Sequence, residues 1–304
     1  MNRRRVAVGA LAAALTASLA TGCSTATPTA DPTPPVATST APSPSTTDAA
    51  TTIEVKADSA ALEHIHNLGL SGDTLLLGSH QGLFRQPAGQ PPRRISKPFD
   101  VMGFTIDDDR WLASGHPGAG MNAPSDLGLL ESRDSGESWA KVSLAGQVDF
   151  HRLSASNEVV LGVNSGDGLL WRSGDGGRNW DTLGSGPFDV ALSPRDARRA
   201  VGTTQDGPIT SNDGGRSWTP IADAPTIALL AWTTDRLWGV SPEGDVHSST
   251  DSGETWRRSG TVPGSPSAVA ANQDRVAILA GDTIWESLDQ GATFAPRVTD
   301  LPGH

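Results

Sequence analysis

"SGDGGRNW", residues 173–180, places Ser, Asp, Gly and an aromatic at fixed offsets, and the pattern recurs. "SRDSGESW" (132–139), "SNDGGRSW" (211–218), "STDSGETW" (249–256) and "SLDQGATF" (287–294) share the form Ser-x-Asp-x-Gly-x-(Ser/Thr/Asn)-aromatic. Their aspartates, Asp134, Asp175, Asp213, Asp251 and Asp289, are separated by 41, 38, 38 and 38 residues. A period near 40 with strand-like flanks predicts four short strands per unit, which is a β-propeller blade. Within each unit the carboxylate can accept backbone N–H bonds across a tight hairpin. The glycine two residues on takes the positive-φ position, and the closing aromatic packs into the seam with the next blade. The five aspartates are therefore assigned a structural role.

Working outward from the hairpins, the fold class is all-β: a six-bladed β-propeller over residues 53–304. Innermost strands are predicted near His64, Asp100, Asp149, Asp189, Thr226 and Ser267. The first blade has no such box, and its "LLLGSHQGLFRQP" turns instead through Gln81-Gly82. A ring must close to remove its edges, and "TTIEVKAD" (51–58) is the segment expected to pair with the last blade. The long spacing between blades two and three is filled by "SGHPGAGMNAPSDLG" (114–128), an insertion between the second and third strands of blade two.

The five boxes resemble the Asp-boxes, or BNR repeats, of sialidases, sortilin-type receptors and photosystem assembly propellers. With "HIHNLGL", "GSHQGLFR", "DVMGFTI", "LASGHPG" and "DFHRL", the chain resembles bacterial secreted BNR-repeat lipoproteins labelled sialidase-like or glycosylhydrolase. That resemblance implies the propeller fold and structural Asp-boxes away from the active face. It does not bring sialidase chemistry with it, because that chemistry uses a tyrosine nucleophile and an arginine triad, and the chain contains no Tyr. "LFRQP" (83–87) matches the sialidase FRIP signature only in part, and reads as the third strand of blade one.

Residues 1–22 read as a secretory leader of the lipoprotein kind: three arginines, an apolar stretch of about 15 residues, then small residues before Cys23. "LATGC" resembles a lipobox with Leu19 one place early, so Cys23 is the expected lipidation site. As the only cysteine, it can make no internal disulfide. Residues 24–52 are almost entirely Ser, Thr, Pro and Ala, so the lipidated Cys and linker (23–52) predict a disordered tether. The localisation expected is extracytoplasmic, with the protein lipid-anchored to a bacterial cell membrane.

Composition agrees with a turn-rich β protein: 34 Gly, 22 Pro, nine Trp and no Tyr. The formal charge is −11, and −14 without the leader's three arginines, from 20 basic and 34 acidic side chains. That balance argues against a nucleic-acid partner, which needs clustered Lys and Arg. No feature demands a second subunit, so a monomer is expected.

The function signal lies in the histidines. His64, His66 and His151 fall at inner-strand starts, while His80 and His116 end the second strands of blades one and two. In a propeller these positions share one face, and five of the seven histidines therefore converge there. His247 and His304 do not. Aligned strand starts read His64, Asp100, Asp149, Asp189, Thr226, Ser267 and, two later, His66, Met102, His151, Ala191, Ala228, Val269. Ligand-type side chains fill blades one to three only. His64, His66, His80, His116, His151, Asp149 and Met102 are the candidate metal ligands, for Zn²⁺ or Cu²⁺ as a possible divalent cofactor. Aspartates that do not ligate can orient the histidines. The plain alternative is a wet polar channel whose His and Asp bond each other and water. Binding at this face is the first reading. A glycoside hydrolase using two of Asp100, Asp149 and Asp189 as acid and base or nucleophile is the second. The third is a binding or scaffold propeller whose face and 115–127 insertion dock a protein or a cell-wall component, with a glycan also a candidate ligand.

Overall fold

The computed structural model describes residues 53–54 and 62–302; the leader, Cys23 and the whole linker, together with residues 55–61 and 303–304, lie outside them. The described chain is all-β, with six four-stranded antiparallel sheets. Their innermost strands are Ile65–Ser71, Asp100–Asp107, Phe150–Ser156, Asp189–Leu192, Leu229–Trp232 and Pro266–Ala271. The sixth sheet gains a fifth strand, Ile53–Glu54, which runs parallel to Ala295–Thr299 in the register Ile53↔Val298. The expected closing segment thus pairs where the ring needs it.

Each blade is hydrophobic on both faces, because each is sandwiched between two others. The consequence is six apolar clusters, one per seam, such as Leu112 and Leu129 of blade two against Phe150 and Val160 of blade three. The box aromatics sit there too: Trp139, Trp180, Trp218, Trp256 and Phe294 each pack on the cluster they share with the preceding blade.

The boxes form as their chemistry predicts. In blade three Asp175 accepts the Ser173 hydroxyl at 2.8 Å, the Asn179 N–H at 2.9 Å and the Asn179 side-chain amide at 2.6 Å. The Ser173 hydroxyl in turn accepts the Gly177 N–H at 2.8 Å. Gly177 has φ +90°, and a Cβ there would lie 2.2 Å from Leu129 of blade two. The glycine is needed twice, for the turn and for the seam. An arginine of the preceding blade also docks on each box: Arg85 on Ser135 O, Arg110 on Gly176 O, Arg172 on Gly214 O, Arg199 on Glu254 and Arg236 on Gln290.

Blade one keeps the hairpin with different chemistry. Gln86 holds the place of the box serine, since it faces Leu75 as Ser173 faces Val160. Its side-chain NH₂ closes the turn on the carbonyls of Pro87 (2.9 Å) and Gln90 (2.8 Å). Its side-chain oxygen accepts Arg297 of blade six at 2.7 Å, and Arg297 also donates to Asp73 O, Gln86 O and Glu286. This arginine ties the closing seam.

Candidate metal site at the channel mouth

The inner strands of blades one, two, three and six do not pair regularly where they begin. The register slips by one residue between Ile65 and Asn67, Val101 and Gly103, Phe150 and Arg152, and Pro266 and Ala268. The residues the register skips at these slips are His66, Met102, His151 and Ser267. A bulge of this kind bends the strand and re-aims one side chain. Blades four and five pair without a slip. In blade six the bulge residue is Ser267, so Ser267 aligns with His66 rather than with His64 as its sequence position suggests.

Around this mouth the structure gathers two groups. The first is His66, His80 and Asp100, the one trio among the described residues whose donor atoms all lie within 4.8 Å of one another. His66 Nε2 stands 3.8 Å from Asp100 Oδ1, and His80 Nδ1 4.0 Å from Asp100 Oδ2. These gaps are too wide for hydrogen bonds. Two ligands of one four-coordinate ion, each at about 2.0–2.1 Å from it, stand roughly 3.3 Å apart, so a small closure would seat an ion. Asp100 Oδ1 is buried and accepts no hydrogen bond among the described residues. Burial pushes the Asp100 carboxyl above its ordinary range, against the pull of His80 and His116, and Asp149 adds to the rise. The His80 ring lies between the other two imidazoles of blade one, its centroid 4.6 Å from that of His66 and 5.0 Å from that of His64. His64 precedes the strand in left-handed backbone (φ +52°) and is exposed.

The second group is His116, Asp149 and His151, and its distances are those of hydrogen bonding. Asp149 Oδ2 receives His151 Nε2 at 2.7 Å and the Ser165 hydroxyl at 2.9 Å, with His116 Nε2 at 3.4 Å. Burial works against the Asp149 charge, yet the His151 bond, the Ser165 hydroxyl and the His116 charge hold its carboxyl below the usual range. His116 faces oxygen with both ring nitrogens: Nδ1 lies 2.9 Å from the Ser125 carbonyl and 3.6 Å from Asp126 Oδ1. A neutral imidazole can donate from only one nitrogen, whereas the imidazolium satisfies both. Burial opposes that charge, but the Ser125 carbonyl, Asp149, Asp100 and Asp126 together carry the His116 pKa upward. No lone pair of His116 is left facing an ion, so this geometry suits a bridge from the insertion to the channel.

The expected ligand set is therefore divided. The trio combines His66 and His80 with Asp100, which the sequence placed among carboxylates for catalysis. His116, Asp149 and His151 form the neighbouring hydrogen-bonded group. Met102 lines the cavity between the two groups without belonging to the trio. The third carboxylate, Asp189, is not brought to them: Oδ2 accepts the Leu230 N–H at 2.8 Å and Oδ1 the Val190 N–H at 2.9 Å. It staples blade four to blade five, and burial raises its pKa. His247 lies on the third strand of blade five, Asp245–Ser249, away from this mouth.

The groups share a cavity of about 440 Å³ lined by His80, Asp100, Met102, His116, Asp126 and Asp149, among others. A second space of about 650 Å³ adjoins it, bounded by His64, His66, His151, Arg152, Pro187 and Phe188. Phe188 was not among the sequence candidates. It lies in the loop before the blade-four inner strand, and no pattern marks an exposed ring there.

No protein-family model and no curated protein matches the chain. Solved structures share its architecture. A GH74 xyloglucanase from Xanthomonas campestris matches with TM-score 0.52 at 17% identity, over 77% of this chain and 45% of that one. The chain thus spans less than half the length of that enzyme. A structure of a nidogen/laminin complex matches with TM-score 0.57 at 10% identity, over 73% of this chain and 91% of that one. At these identities the likeness is one of fold, and the fold is a six-bladed β-propeller.

Proposed function

We propose that this chain is an extracytoplasmic propeller, held to the membrane through lipidated Cys23, that binds one divalent transition ion at its channel mouth. His66, His80 and Asp100 would hold the ion, with Zn²⁺ or Cu²⁺ fitting two imidazoles and a carboxylate. The observation that carries this reading is the spacing of the trio around Asp100 Oδ1, a buried oxygen that accepts no hydrogen bond among the described residues. An ion would satisfy that oxygen and offset the burial of the carboxylate. The Asp149 group would remain as a hydrogen-bonded wall beside it.

Metal analysis of the untagged protein tests the reading. One Zn or Cu per chain is expected, lost in the His66→Ala/His80→Ala double variant and retained in His247→Ala. Wild-type protein that takes up neither ion in a calorimetric titration would sink it.

A second reading rests on the two carboxylates of the cavity. Asp100, raised by burial, and Asp149, lowered by its donors, have the divergent proton affinities of a general acid and an ionised partner. Hydrolysis of an extracellular glycan follows if both contribute. A screen of polysaccharides including xyloglucan, with Asp149→Asn as control, decides it; no release of reducing ends from any of them removes the reading.

A further inference from the structure

Three protein donors do not fill a metal's coordination sphere. A zinc ion held by three side chains takes its fourth ligand from water or from a bound molecule. The space in front of the trio is far larger than a water needs, whose share of liquid volume is about 30 Å³. The cavities of about 440 and 650 Å³ have Met102, His151, Asn164 and Ser165 in common as lining residues, so they are two lobes of one mouth. Volumes of this order are those of small-molecule sites.

The walls of the larger lobe differ in chemistry. Its lining includes the imidazoles of His64, His66 and His151 and the apolar surfaces of Val163, Pro187 and Phe188. Phe188 is 65% exposed, the one exposed aromatic hydrophobe among the described residues. Its exposure is held in place by the backbone. The Phe188 N–H donates to Thr203 O at 2.8 Å, Arg152 Nε donates to Phe188 O at 3.3 Å, and the Gly186 N–H donates to Gly168 O at 2.8 Å. A ring on a fixed backbone gives up little further freedom when a ligand covers it, which favours binding.

We infer that the mouth binds a small organic acid with a chelating head and a planar apolar body, the head taking the open metal position and the body lying on Phe188. The inference rests on the metal reading above and adds the ligand class to it. The head supplies anionic oxygens, which can fill the open position of a zinc ion, and the body removes the exposed ring from water.

Hydroxamates test this without knowledge of the natural ligand, since they chelate an open zinc position and differ only in their bodies. The zinc-loaded chain is titrated with acetohydroxamate and with benzohydroxamate. One benzohydroxamate per chain is expected, bound roughly tenfold or more tighter than acetohydroxamate, from the apolar area covered. Phe188→Ala should abolish that preference while zinc content and acetohydroxamate affinity stay unchanged, and Phe188→Trp should keep it. Equal affinities in the wild type, a preference that survives Phe188→Ala, or zinc-loaded protein that binds neither hydroxamate would overturn the inference and leave the metal reading standing. Protein that takes up no zinc fails at the earlier titration and overturns both.

Discussion

Replacing Arg297 with Met removes the tie across the seam where the ring closes. The side chain is 4% exposed and donates to Gln86 Oε1 at 2.7 Å, Asp73 O at 2.7 Å and Gln86 O at 3.0 Å, besides pairing with Glu286. Met fills much of the same volume, so the loss is electrostatic. Glu286 keeps Arg275 at 3.1 Å, which limits the penalty on that carboxylate. The three oxygens on the blade-one side gain no new donor. Breaking a buried pair of this kind costs about 3–5 kcal/mol. An exposed pair offers the internal comparison: Arg195 and Asp235 are 66% and 64% exposed, and exposed pairs contribute about 0–1 kcal/mol. Urea unfolding followed by tryptophan fluorescence should therefore show Arg297→Met destabilised by about 3–5 kcal/mol and Arg195→Met by less than about 1 kcal/mol. The m-values should be unchanged, since the surface exposed on unfolding is the same. If the two variants lose equal stability, Arg297 does not tie the seam and the closing role of Gln86 fails with it.

Gly177→Ala should destabilise by about 2–4 kcal/mol in the same assay, because the added Cβ meets Leu129 at 2.2 Å and the backbone is left-handed there. Stability should fall in acid: the carboxyls of Asp134, Asp213 and Asp289 are held at about 2 by their box donors, below the unfolded value near 3.9. Their contribution is present above pH ~4 and lost as pH falls towards about 2, so unfolding there should be accompanied by proton uptake. Asp189, raised by burial, contributes with the opposite sign, and Asp189→Asn should reduce the gain that acid gives at that position. Zinc at a hundredfold its Kd should stabilise the wild type by about 2.7 kcal/mol and leave His66→Ala/His80→Ala unchanged; equal stabilisation of both would place the ion elsewhere.

The fold was legible because the boxes state it locally. Ser, Asp and Gly at fixed offsets specify a hairpin from hydrogen bonds within eight residues, and five copies give the period. Blade one was harder to read, since Gln86 does with an amide what serine and aspartate do elsewhere, and its partner Arg297 lies 211 residues away. The site was legible as a face, because strand order alone brings His66, His80, His116 and His151 to one end of the ring. Its division into two groups was not. That division depends on one-residue slips in strand pairing and on both nitrogens of His116 meeting oxygen, and neither leaves a mark in the spacing of residues. Phe188 escaped for the opposite reason: a lone aromatic before a strand looks like core until its surroundings are known.

The slip in blade six has a use for protein engineering. Ser267 sits at the same kind of register slip as His66, and it lines the same lobe as His64 and His66. Of the four blades that carry this slip, three place His or Met at it and the fourth only a hydroxyl. Writing Ser267→His into that position would offer a further imidazole to the mouth from a blade that takes no part in the trio, and under the metal reading proposed above it should raise the affinity for zinc in a calorimetric titration.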